Sequence, residues 1–201
     1  MNPLNTVAGT IIGGVVLAVL IAVATMGVSF NVGSFIVWVH VLAGITWIGL
    51  LYYFNFVQVP ALGEAAADEG GPGGAGITKY VAPRALWWFR WGALVTWLSG
   101  AAYLGHLRLF NDAFALGMLG ESMNYQAMII GFGAWFGTIM LFNVWVLIWP
   151  NQKKILGMVE ASADQIARAR RVAFLASRTN TLLSIPMLMS MVGFGHGGFF
   201  I

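Results

Sequence analysis

Ser34–Val57 reads SFIVWVHVLAGITWIGLLYYFNFV and contains no aspartate, glutamate, lysine or arginine. A helix needs about 20 apolar residues to cross the hydrocarbon core of a bilayer. In lipid, every backbone N–H and C=O must be satisfied within the spanning segment or by a closed barrel, so a run of this kind is a helix. Four further stretches meet the same criterion: Ala8–Val28, Leu86–Gly105, Tyr125–Trp149 and Thr181–Ile201. The expected fold is therefore all-α, a polytopic membrane bundle of about five transmembrane helices in a single domain, 1–201.

Composition supports that reading. The 201 residues are 59% hydrophobic and 8% charged, whereas soluble domains carry about 25% charged residues. The amino terminus, MNPLNTVAGT, has no basic region before its first apolar run, and no A-x-A-like site follows it, so that run reads as a retained span. Net charge is only +3 and the basic residues sit mostly in connections, which argues for topology and against a nucleic-acid surface. The absence of cysteine excludes disulfides, thiolate metal sites, iron–sulfur clusters and covalent haem attachment through C-x-x-C-H. The ten methionines are scattered and read as adaptable apolar filler.

The connections differ in kind. Ser29–Gly33 is a tight turn. Pro60 to Lys79 contains Glu64, Asp68, Glu69 and GGPGGAG and is expected to be a flexible loop. His106 to Asn124 is a shorter polar loop. Asn151 to Arg178 is polar yet carries Ile155, Val159, Ile166 and Ala169 at helical spacing. It reads as an amphipathic surface helix near 151–178, with Arg168, Arg170 and Arg171 toward headgroups. Lys153, Lys154, Arg168, Arg170, Arg171 and Arg178 share a face with Lys79, Arg84 and Arg90. The positive-inside rule then puts the amino terminus in the cytoplasm of a bacterial inner membrane and the carboxy terminus in the periplasm. Pro150 is expected to stop the fourth span, Thr179 or Asn180 to cap the fifth, and Pro186 to kink it.

The chemistry lies in three histidines, His40, His106 and His196. At about 1.5 Å of rise per residue, His40 and His196 lie at matched depth below the outer face, and His106 is shallower. A lone intramembrane histidine often serves only as an interhelical hydrogen-bonder. Two at one depth favour ligation, and His196 sits in GFGHGG, where Gly193, Gly195, Gly197 and Gly198 leave room beside it. His40 has Gly44 one turn on, with Phe35, Trp38 and Trp47 as walls. No carboxylate at that depth completes a zinc site. The set fits one b-type haem with His40 and His196 as axial ligands, His106 as the substitute, and Arg108 placed for the propionates. Arg90, Asn55, Gln58 and Asn143 mark a second, inner polar pocket suited to a small planar anion or a quinone, although Arg84 and Arg90 can equally snorkel to phosphates. Thr96 and Ser99 read as helix-packing residues, and Gly133-x-x-x-Gly137 as a close helix contact. No arrangement of Ser184 or Ser190 resembles a hydrolytic site, and GGPGGAG lacks the lysine of a phosphate loop.

FIVWVHVLAGITWIGLLYYF, ALWWFRWGALVTWLSG, NVWVLIWPNQKKILG and RTNTLLSIPMLMSMVGFGH together resemble the membrane domain of the bacterial membrane-bound urate hydroxylases, the urate oxidase N-terminal family. WVHVLAGITWIG alone also resembles membrane haem proteins of porphyrin oxidation and copper resistance. The urate hydroxylase resemblance implies an inner-membrane protein oxidising urate toward 5-hydroxyisourate, often with a periplasmic cytochrome c domain after the last span. No C-x-x-C-H follows His196 here, so a separate electron acceptor is expected. Within the resemblance, His40 and His196 match its histidine-bearing motifs, and no urate-binding residue carries over.

The expectation is therefore a membrane haem oxidoreductase or electron-transfer protein. It would sit in the lipid bilayer and pass electrons to a periplasmic cytochrome c or respiratory complex, and a homo-oligomer is compatible with it. The alternative is a non-catalytic accessory or assembly subunit of a larger membrane complex, in which a haem would be structural.

Overall fold

A computed structural model of the protein describes residues 2–197, the side chain of Met26 excepted. Among these residues there are helices and turns and no strand, so the all-α expectation holds. The chain divides into two compact units, Met1–Val32 and Gly33–Ile201. The first contains a 3-10 turn, Pro3–Asn5, and helix α1 (Val7–Met26). Thr6 caps α1, its Oγ1 accepting from the Gly9 N–H at 3.0 Å. Gly27, at φ +78°, ends it in a conformation that favours glycine.

The second unit is built from α2 (Val32–Tyr53), α3 (Val59–Ala67), α4 (Ala82–His106), α5 (Phe110–Phe114), α6 (Tyr125–Phe142), α7 (Trp149–Ile155) and α8 (Ala163–His196). Three junctions are π-turns: Phe54–Gln58 between α2 and α3, Ile77–Val81 entering α4, and Asn143–Ile148 between α6 and α7. A proline follows each one by two residues: Pro60, Pro83 and Pro150. A proline ring collides with the carbonyl four residues back. Those carbonyls belong to Phe56, Lys79 and Val146, all inside the π-turns. Widening the turn relieves the clash while the helix continues.

Pro150 therefore does not end its helix, contrary to expectation. Val32–Ala67 and Tyr125–Ile155 are continuous runs of 36 and 31 residues. The expected loop from Pro60 to Lys79 is correspondingly shorter, because helix occupies Val59–Ala67 and resumes through Ile77–Val81.

Among the described residues, three helical stretches are long and apolar enough to cross a membrane: Val7–Thr25, Val32–Ala67 and Tyr125–Ile155. This is fewer than the five expected. The helix of the third expected span, α4, carries Arg84, Arg90 and four tryptophans, and the first half of α8 carries Asp164 and four arginines. Both dilute the apolar character that length alone suggested. The end of the expected fifth span, from Gly198 to Ile201, lies outside the described residues.

The largest correction concerns α8. A surface helix over 151–178 followed by a separate span from Thr181 is replaced by one 34-residue helix, Ala163–His196. It opens with a capping box at Ser162 and Gln165. It has no reason to break at residue 179. Ala169, Ala173, Ala176, Asn180, Ser184, Met187, Ser190 and Gly193 are all buried at spacings of three or four. This one stripe, mostly of small residues, packs along its whole length, and small side chains let helix backbones approach. At 1.5 Å per residue, α8 is about 50 Å long, well beyond the about 30 Å of a hydrocarbon core.

Asn180, expected as a cap, is instead fully buried in the middle of α8. Its Oδ1 accepts from Asn143 Nδ2 at 2.8 Å, and its own Nδ2 donates to the Met140 carbonyl at 3.0 Å. One turn on, Ser184 Oγ donates to the Thr181 carbonyl (2.7 Å) and lies 2.9 Å from the Tyr52 hydroxyl, which is left as donor. Asn55 Nδ2 reaches both the Leu51 carbonyl and Ser177 Oγ at 2.8 Å. Around these polar ties lies the main apolar core, with Trp47, Leu51, Phe54, Phe89, Met140 and Val144 at its centre.

Replacing Asn180 by leucine strips partners from both Asn143 Nδ2 and the Met140 carbonyl. A buried orphan costs about 1–3 kcal/mol, so unfolding stability in detergent should fall by an amount on the order of 3 kcal/mol, read as a lower thermal midpoint. The double variant Asn143→Leu/Asn180→Leu should recover part of that loss, which a thermal unfolding series of the three variants would measure.

Candidate functional site

His40 faces α4. Its Nδ1 lies 2.8 Å from the Thr96 carbonyl and 3.4 Å from Ser99 Oγ. A carbonyl can only accept, so Nδ1 carries the proton and Nε2 is the nitrogen with a free lone pair. Gly100 makes this approach possible, since a Cβ there would stand 3.0 Å from His40 Cε1 and 3.2 Å from Nδ1. Thr96 is held in turn by its Oγ1, which donates to the Gly92 carbonyl at 2.7 Å. At the far end of α8, His196 Nδ1 lies 3.3 Å from the Val192 carbonyl, and the same reasoning leaves its Nε2 free.

The two histidines line one cavity of about 410 Å³, together with residues of α2, α4, α6 and α8. Gly100, Ala101, Gly133, Ala134, Gly137 and Gly195 remove bulk from its walls, and no charged side chain lines it. Trp47 contributes a wall, as expected, while Met187 and Met191 contribute thioethers that sequence pattern read only as filler. The close α6–α8 approach beside the cavity is fixed by Ser190. Its Oγ accepts from the Gly133 N–H at 2.9 Å and donates to the Ile129 carbonyl. A Cβ on Gly133 would stand 2.7 Å from that oxygen. The small pair Gly133 and Gly137 was thus a visible sign of this wall, though not of what it encloses.

Other expected members fall elsewhere. His106 ends α4 and is exposed, as is Arg108 just beyond it in a left-handed conformation at φ +58°, and neither lines the cavity. Gly44 packs on Thr96, with Cγ2 3.8 Å from where its Cβ would be, and does not line the cavity either. Phe35 and Trp38 are exposed and outside the lining. Gly198 lies beyond the described residues.

A second cavity, of about 460 Å³, lies toward the other end of the same bundle. It shares no lining residue with the first. His40 and Asn55 are separated by about 22 Å of helix rise. Of the inner pocket expected from sequence, Asn55 and Gln58 line this cavity, whereas Arg90 and Asn143 do not. Arg90 instead stacks its guanidinium on the Trp149 ring, 3.7 Å from the centroid, and Asn143 is committed to Asn180. The cation in the lining is Arg170, expected to face headgroups. The break assumed between surface helix and span hid it, because a continuous α8 carries its first half up against the π-turn of α2.

Among the described residues no group of three or more histidine, cysteine, aspartate or glutamate side chains could hold a metal ion. Two imidazoles on one cavity are a donor set for an iron already held by a macrocycle, and the apolar, small-residue walls suit such a ring. His40 and His196 therefore fit a haem as the pair that would hold it.

No curated protein and no solved structure matches the chain. Residues 114–200, from Phe114 in the wall of the first cavity through His196, match the family model described as urate oxidase N-terminal. Over that stretch, less than half of its length, the chain is similar to the urate oxidase N-terminal family.

Proposed function

We propose that this chain is a membrane oxidoreductase that holds one haem b between His40 and His196 and takes electrons from urate. The observation that carries this reading is that the two imidazoles line one apolar cavity, each with Nδ1 engaged by a backbone carbonyl and Nε2 without a hydrogen-bond partner among the described residues. When bound, the haem supplies one-electron redox chemistry at that site. The chain's own work is positional. Thr96 fixes the tautomer and rotation of His40, and an outer-sphere partner of this kind raises the basicity of a ligating imidazole. Gly100 admits the ring, and the rest of the lining is largely apolar. The family match supports urate as the electron donor. The acceptor in this reading is a periplasmic cytochrome c or another respiratory component. The three long apolar helices support a place in the bilayer, and the distribution of lysine and arginine supports a cytoplasmic amino terminus.

Purified protein should give a pyridine haemochrome spectrum of b-type haem at one per chain, and urate should reduce the band. His40→Ala and His196→Ala should each lose most of it. Stoichiometric haem retained in both variants overturns the assignment. Gly100→Ala is a finer probe, because its methyl presses on the His40 ring without touching the other ligand. It should lower haem retention or shift the absorption band while expression stays unchanged. Arg108→Ala should leave the spectrum as it is, since Arg108 stands outside the cavity.

A further inference from the structure

The second cavity has features of a ligand site that packing alone does not explain. Gln58 is only 8% exposed, sits in the π-turn after α2, and lines the cavity, yet its Oε1 is enclosed with no hydrogen-bond partner. An orphaned buried amide oxygen costs about 1–3 kcal/mol, and a ligand N–H or O–H would relieve it. Asn55 stands one turn before it. Its amide NH2 is used on Leu51 and Ser177, which leaves its carbonyl oxygen as an acceptor at the same wall. Arg170 brings a positive charge, and no aspartate or glutamate lines the cavity to neutralise it. Phe54, Phe89 and Phe174 supply aromatic surface for a flat ring.

The geometry points to a binding site for a small planar anion that carries ring N–H donors. The two amide oxygens would take the N–H groups, Arg170 the negative charge, and the phenylalanine rings the flat faces. The cavity is half open and its cation is exposed, which suits exchange with solution. A quinone offers acceptors where this wall also offers acceptors, and it carries no charge for Arg170, so the donor-bearing anion fits better. The inference rests on the proposed function only for the choice of urate as the probe. The site itself shares no residue with the histidine cavity.

The test is equilibrium binding of urate to the full chain in nanodiscs, by calorimetry. Benzoate serves as an anion without ring N–H, uracil as a ring N–H donor without charge, and a short-chain ubiquinone as competitor. Urate should bind more tightly than benzoate or uracil. Charge-assisted hydrogen bonds are worth about 1.5–3 kcal/mol, so Arg170→Gln should weaken urate binding at least about tenfold. Gln58→Leu, which keeps the volume and removes the acceptor, should weaken urate while leaving benzoate nearly unchanged. Arg170→Gln should keep the thermal midpoint of the parent protein, Gln58→Leu should keep or raise it by removing the orphaned oxygen, and both should keep any haem band. The inference is overturned if the parent protein does not bind urate, if ubiquinone binds and urate does not displace it, or if Arg170→Gln and Gln58→Leu both bind urate normally. Loss of urate binding in His40→Ala with no loss in Arg170→Gln would move the anion to the other cavity and equally defeat this assignment. Absence of haem from the purified protein would defeat the proposed function and leave this measurement intact.

Discussion

The amide pair between Asn143 and Asn180 is the constraint on which the arrangement of the second unit depends. It sits where α6 widens into a π-turn and where α8 is fully buried. Each partner is a strong hydrogen-bonding group far from water, so neither helix can slide or rotate without orphaning donors and acceptors. With that register fixed, Ser190 meets Gly133, Ser184 meets Tyr52, and Ser177 meets Asn55. The polar ties run down one seam of small residues. Apolar packing alone would allow several nearly equivalent registers of a leucine-rich or alanine-rich helix pair, and side-chain hydrogen bonds select one.

That seam also explains why two cavities coexist. Small residues let α4, α6 and α8 approach closely at mid-height, where Trp47, Phe89, Met140 and Val144 fill the core. Away from the middle, glycines and alanines at 100, 101, 133, 134, 137 and 195 leave the first space. At the other end the widened turn at Phe54–Gln58 and the long first half of α8 enclose the second. The apolar cavity has imidazoles and no charge. The other has amides and a cation. The two ends of the bundle are thus chemically unlike.

Much of this was legible in the sequence, for identifiable reasons. Uncharged runs the length of Ser34–Val57 leave a helix as the only way to satisfy the backbone in lipid, and the all-α class followed. Matched depth put His40 and His196 at one level, and they do line one cavity. What could not be read was continuity. Proline is a helix stop in one-dimensional reasoning, yet at residues 60 and 150 the preceding turn expands and the helix goes on. The arginine-rich stretch before residue 179 looked amphipathic and separate, whereas a stripe of small residues, a quieter signal than hydrophobic periodicity, joined it to the apolar half. Arg170 was misplaced for that reason. Thr96 was read as packing because its carbonyl, not its side chain, holds His40, and backbone acceptors leave no mark in a sequence.

The π-turn at Phe54–Gln58 separates the part of its helix that carries His40 from the part that carries Gln58. A residue added to or taken from an α-helix swings everything beyond it by about 100°. The angular phase between imidazole and amide is therefore set by one residue's worth of backbone. A single-codon deletion in this turn would uncouple the two ends of the bundle, leaving each half helical and apolar but no longer aimed at its own chamber.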